Sequence, residues 1–185
     1  MARVNSATHS GHSEISLSGV PFRVNSFINE LSAGWPQLPE LARILVRLTA
    51  AAVLGAVIGL QRESMGKPAG LRTHMLVATG AALFVASSFE SGMSLSDISR
   101  IIQGLATGIG FIGAGAILKM TEQHEITGLT TAASVWMTGA VGVAVGLGRW
   151  GAAAISVILS WMILALLGRL EFWAKTKRHD ESSPD

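Results

Sequence analysis

Residues 101–118 read IIQGLATGIGFIGAGAIL. Within them, Gly108-Ile109-Gly110-Phe111-Ile112-Gly113 matches the dinucleotide-binding fingerprint letter for letter. That fingerprint works only where a strand turns into a helix and leaves backbone N–H groups free for a pyrophosphate. Here it lies inside an apolar run of membrane length, where the same amides are engaged in helix hydrogen bonds. The stretch therefore reads as a transmembrane helix, and the nucleotide reading falls away.

Crossing a hydrocarbon core of ~30 Å takes about 20 mostly apolar residues in a helix. Around 101–118 lie four further runs of that kind: 41–60, 71–89, 131–147 and 150–170. The expected fold class is thus all-α, a polytopic bundle of five transmembrane helices over residues 41–170. These runs are continuously apolar, whereas the strands of a membrane barrel alternate. Only Gly148-Arg149 separates the last two runs, which predicts a tight hairpin. Composition agrees. Hydrophobic residues make up 49% of the 185 and charged ones 14%, well below the roughly 25% charged of soluble domains. Residues 1–40 form a polar tail, expected to be disordered apart from an interfacial helix carrying Phe27, Ile28, Leu31 and Trp35. Residues 171–185 form a basic, then acidic tail.

The chain has no cysteine, which excludes disulfides, thiolate metal sites and cysteine nucleophiles. No GxSxG or HExxH occurs, His124-Glu125 lacking its second histidine, so no catalytic residues and no metal ligands are assigned. Neither an enzyme nor a cofactor is expected. The one basic cluster, Lys175, Lys177 and Arg178, follows an apolar run, as at the cytoplasmic end of a membrane helix, which argues against a nucleic-acid partner. Arg62, Lys67 and Arg72 in the first loop carry the same bias. With five spans they put the C-terminus in the cytoplasm and the N-terminus outside.

The glycines read as packing surfaces. Gly55/Gly59, Gly104/Gly108 and Gly142/Gly146 are three GxxxG pairs in three helices, and Gly110 and Gly113 extend the second of them. The third helix is accordingly expected at the bundle centre, where Gly108→Leu would disrupt it. Self-association through such a face is the other use of the motif. Arg47 lies about two turns into the first span and needs a counter-charge. Asp97, or failing that Glu90, is the expected partner, and Arg100 lies near them. Arg62, Glu63 and Arg72 are candidates for joining two helix ends or receiving a partner. Thr130 is expected to cap the fourth helix, with Thr131 and Ser134 bonding across helices.

Three blocks of these residues resemble the membrane domain of the MgtC/SapB family. The first runs from Arg47-Leu48 through Gly55, Ile58-Gly59-Leu60 and Arg62-Glu63 to Ala69-Gly70-Leu71-Arg72-Thr73-His74 and Gly80-Ala81-Ala82-Leu83-Phe84. The second is Asp97, Arg100 and Gln103, followed by 107–115, and the third is Gly128-Leu129-Thr130-Thr131-Ala132-Ala133-Ser134 with Trp136. Gln61 departs from the glutamate common in the family, and Thr127 from a basic residue. The family's larger members carry a soluble cytoplasmic domain after the last helix. Fifteen residues follow Leu170 here, so a membrane-only member is expected.

The resemblance implies a bacterial inner-membrane protein serving growth under low magnesium, acid stress or host-cell survival. It offers two activities: Mg²⁺ transport, or regulation of another membrane protein such as an ATP synthase or P-type ATPase. A hard cation needs oxygen ligands, usually carboxylates, along its path. The predicted spans hold no acidic residue at mid-depth, and Glu63, Glu90 and Asp97 all fall near ends. A regulator embedded in the lipid bilayer is therefore the preferred expectation. Mg²⁺ enters only under the transporter alternative.

Overall fold

A computed structural model describes residues 37–118 and 127–180, with side chains from 37 to 117 and from 127 to 166. The segment 27–35, Lys119 and His124-Glu125 lie outside the described residues. Five helices follow one another: α1 Leu38–Ser64, α2 Leu71–Glu90, α3 Leu95–Leu118, α4 Leu129–Gly146 and α5 Trp150–Asp180. No strand occurs among the described residues, and the chain is an all-α membrane bundle.

Of the boundaries that move outward from the expected ones, two do so for evident local reasons. α3 starts six residues before Ile101 because Ser94 and Asp97 form a reciprocal cap. The Ser94 hydroxyl accepts the Asp97 N–H at 3.2 Å and donates to Asp97 Oδ2 at 2.6 Å. α5 continues ten residues past Leu170 to Asp180, since nothing between Glu171 and His179 breaks a helix. The α4–α5 hairpin is as tight as expected. Gly148 takes φ +72°, a left-handed value that favours glycine, while Gly148 N–H and Arg149 N–H return to the carbonyls of Val145 and Ala144.

Among the described residues, three helices are long and apolar enough on their own to cross a membrane: Leu38–Ser64, Leu95–Ile117 and Leu129–Gly146. The apolar part of α5, Trp150–Leu166, is shorter. α2 is diluted by Arg72, His74, Ser87 and Ser88. It tolerates His74 and Ser88 because α1 and α4 pack on it, burying both with Ala78, Ala82 and Val85, while Arg72 and Ser87 are exposed near its two ends. A helix sheltered by its neighbours does not have to present a wholly apolar surface to lipid.

The bundle centre is α4, not α3. α4 touches each of the other four helices, whereas α3 packs on α4 and more lightly on α2. Ala51 and Ile58 from α1, Ala78 and Ala82 from α2, Val141 and Val145 from α4, and Ala153 and Val157 from α5 form the main core. A smaller cluster of Ala69, Ile109 and Val135 sits under α3.

Gly55 and Gly59 lie on the α2 backbone: a Cβ on Gly55 would be 2.6 Å from the His74 carbonyl, and one on Gly59 2.7 Å from Leu71 Cα. Gly142 faces the Ala78 carbonyl, and a Cβ on Gly146 would be 2.8 Å from Val85 Cβ. Two of the three GxxxG pairs therefore close helix contacts. The third pair does not. Gly104, Gly108 and Gly110 have open space where a side chain would stand, and only Gly113 meets a neighbour, Ala132. The expected disruption of third-helix packing by Gly108→Leu is corrected accordingly, since nothing stands within 4 Å of a Cβ at that position. The spacing places those glycines on one face, and that face points away from the chain's own core.

Candidate functional site

Polar side chains collect at two ends of the bundle. Arg47 and Arg62 belong to the same helix, 15 residues apart, which sets the two groups about 22 Å apart along α1.

The first group is buried. Arg62 leaves the last turn of α1 at 2% exposure, and its Nη2 donates to Thr131 Oγ1 at 2.7 Å, in the first turn of α4. Its Nε is buried without a partner. His74, fully buried on α2, sits 2.8 Å by Nδ1 from the Gly70 carbonyl. A carbonyl only accepts, so Nδ1 carries the hydrogen. His74 Nε2 lies 3.3 Å from Ser134 Oγ, and Ser134 in turn reaches the Thr131 carbonyl at 2.8 Å. The single Ser134 proton thus has two acceptors when the imidazole is neutral. Thr138 adds a bond to the Ser134 carbonyl at 2.8 Å. Five buried polar side chains from α1, α2 and α4 are joined at one end of the core.

Glu63, next to Arg62, points elsewhere. Its Oε2 accepts the Leu71 N–H at 2.8 Å and so caps α2. A carboxylate at a helix N-terminus also meets the positive end of the helix dipole. Arg62 and Glu63 therefore each tie the end of α1 to the start of another helix, while Arg72 is exposed. Thr130 is exposed and does not cap α4. That position belongs to Gly128, at φ +90°, with no side-chain cap. A side chain on Gly128 would meet the Ala116 carbonyl at 2.6 Å, so the entry to α4 is pressed onto α3.

The second group lies at the other end. Arg47 Nη1 is 3.8 Å from Glu90 Oε1, and Arg43 Nη2 is 3.5 Å from Glu90 Oε2. The Arg47 guanidinium also stands 5.7 Å from the centre of the Phe89 ring, a cation–π distance. Arg47 thus finds the second of its two candidate partners. Asp97 is turned to Ser94 and to Arg100, 3.7 Å away on its own helix, because capping α3 uses its carboxylate. Gln103 is exposed on the open face of α3 and joins neither group.

Sequence reasoning missed the His74–Ser134 contact, the sharing of Glu90 by Arg43, and the Gln61 amide that donates to the Trp161 carbonyl at 3.1 Å. His74 and Ser134 stand 60 residues apart, and no local spacing links them. The only signal was that each closes one of the two distinctive strings, AGLRTH and GLTTAAS. Among the described residues no group of three or more histidine and acidic side chains is placed to hold a metal.

The sequence pattern of the MgtC family matches residues 48–173. SrpB of Synechococcus elongatus is 42% identical over 136 residues, covering 68% of this chain and 75% of that protein. "Putative magnesium transporter YhiD" of Escherichia coli is 39% identical over 145 residues, covering 75% of this chain and 66% of that one. MgtC of Salmonella typhimurium is 43% identical over 115 residues, 62% of this chain and 48% of its own length. The match thus spans about half of MgtC. No solved structure matches the chain. Both distinctive strings and both polar centres fall within the matched span, apart from Arg43 and Arg47 at its edge, and the chain belongs to the MgtC family.

Proposed function

We propose that this chain is a regulatory protein of the bacterial inner membrane. In this reading it acts on another membrane protein, of ATPase or ATP-synthase type, during adaptation to low magnesium, acid or host-cell stress. It has no catalysis of its own, needs no cofactor, and lies with its N-terminus outside and its C-terminus in the cytoplasm. The observation that carries the reading is the sign of the buried charge. Among the described residues the charged side chain buried in the bundle is Arg62, and it stands beside His74 and neutral hydroxyls. An unpaired guanidinium repels a divalent cation, which binds through several oxygen ligands, carboxylates foremost. The name of the Escherichia coli relative favours magnesium transport as the second reading.

The test is purification of the full chain in mild detergent, identification of membrane proteins bound to it, and assay of each partner's ATP turnover with and without the chain. A partner in fixed ratio whose turnover changes supports regulation. A chain that purifies alone and alters no ATPase rate contradicts it.

A further inference from the structure

Among the described residues, Arg62 is a buried cation without a counter-ion. No carboxylate among the described residues comes within 4.0 Å of it. Its neighbour Glu63 is committed to the Leu71 amide. The Thr131 hydroxyl that accepts from Nη2 is neutral, and Nε is buried with no partner. A charge removed from water is stable only when opposite charge and hydrogen bonds replace its hydration.

Thr131 belongs to the first turn of α4, an 18-residue helix whose N-terminus has no side-chain cap. The first amides of any helix lack an intrahelical partner, and the dipole makes that end positive. The under-satisfied guanidinium reaches the same turn that carries these amides, through its 2.7 Å bond to the Thr131 hydroxyl. Leu129 and Thr130 of the same turn are exposed, while Thr131 and Arg62 are buried at 2% exposure.

We propose that Arg62, Thr131 and the first-turn amides of α4 form a binding site for a phosphate-type oxyanion. A tetrahedral oxyanion offers several acceptors at once, matching the fork of a guanidinium and the amides of a helix start. It also supplies the negative charge that no described carboxylate places there. Because α1 ends at Ser64, the site lies at the edge of the bundle. The same phosphate chemistry is available there from a lipid headgroup or from phosphate in solution. The inference stands independently of the regulatory reading.

The experiment uses the full chain in phosphatidylcholine nanodiscs and follows thermal unfolding. Inorganic phosphate is added against chloride at equal ionic strength, and a second set of discs contains phosphatidylglycerol. Stabilisation by inorganic phosphate identifies a free oxyanion. Stabilisation by phosphatidylglycerol alone identifies a headgroup. Either effect should weaken roughly ten- to hundredfold in apparent affinity in Arg62→Gln, the range for losing hydrogen bonds to a charged group. Thr131→Val, which keeps the volume, should weaken it less. If Arg62→Gln does not fold, Thr131→Val decides by the same criterion. No stabilisation of the parent protein by either source, or stabilisation that survives the substitutions unchanged, overturns the site.

Discussion

A methyl group on Gly142 would strike the Ala78 carbonyl and stand 2.9 Å from Ala81 Cβ, both on α2. Neither atom belongs to the end of a flexible side chain, so the helices would have to separate. Gly142→Ala should therefore destabilise the bundle by about 1–3 kcal/mol, the usual range for overpacking. Gly108→Ala meets nothing within 4 Å and should be neutral, or stabilising by up to about 1 kcal/mol through helix propensity. Unfolding in detergent distinguishes the two; equal losses at both sites would contradict the packing described. The sequence marked both glycines by the same spacing. It could not separate them, because spacing places residues on one face of a helix without saying what that face meets. Arg47 shows the same boundary. Its need for a partner was legible from its depth in an apolar run, but the choice of Glu90 over Asp97 depended on the Ser94 cap that turns Asp97 away. A double-mutant cycle should give roughly 1 kcal/mol of coupling between Arg47 and Glu90 and close to none between Arg47 and Asp97. The reverse ranking would show that the pair is wrongly assigned.

At the scale of the helix, α4 collects what holds the bundle together. Its inward side buries the small or hydroxyl residues Thr131, Ser134, Thr138, Gly139, Gly142 and Gly146 beside Val135, Val141 and Val145. Small residues admit close backbone approach, and the hydroxyls answer polar groups from α1 and α2 that lipid would leave unsatisfied. From sequence α4 was one of five apolar runs, and the glycine-dense α3 looked more central. Composition cannot rank helices by position, since a glycine face turned inward and one turned outward read alike. The α4 hydroxyls were legible as cross-helix bonders, but their partners were not, lying as far as 69 residues away. Thr131→Val should cost about 1–3 kcal/mol, because it removes the acceptor from a buried guanidinium that already has one unpartnered nitrogen. Thr130→Val, on the exposed side of the same turn, should fall within about 0.5 kcal/mol of the parent. Thermal unfolding of both variants checks the contrast.

For the whole molecule, the five helices, the hairpin after α4 and the two polar ends fit an odd number of crossings. Reporter fusions in the α2–α3 turn near Gly92 and after Asp180 should therefore report opposite sides of the membrane, and the same side for both would break the span count. Under the regulatory reading proposed above the bundle does not conduct magnesium, the charge buried among the described residues being the Arg62 cation at one end of the core. The most direct measurement is Mg²⁺ flux into liposomes that contain the purified full chain and no other protein, with an ion-selective dye inside and an imposed gradient. The expected result is a rate equal to that of empty liposomes. Rapid, saturable entry of Mg²⁺ dependent on the chain would contradict the account.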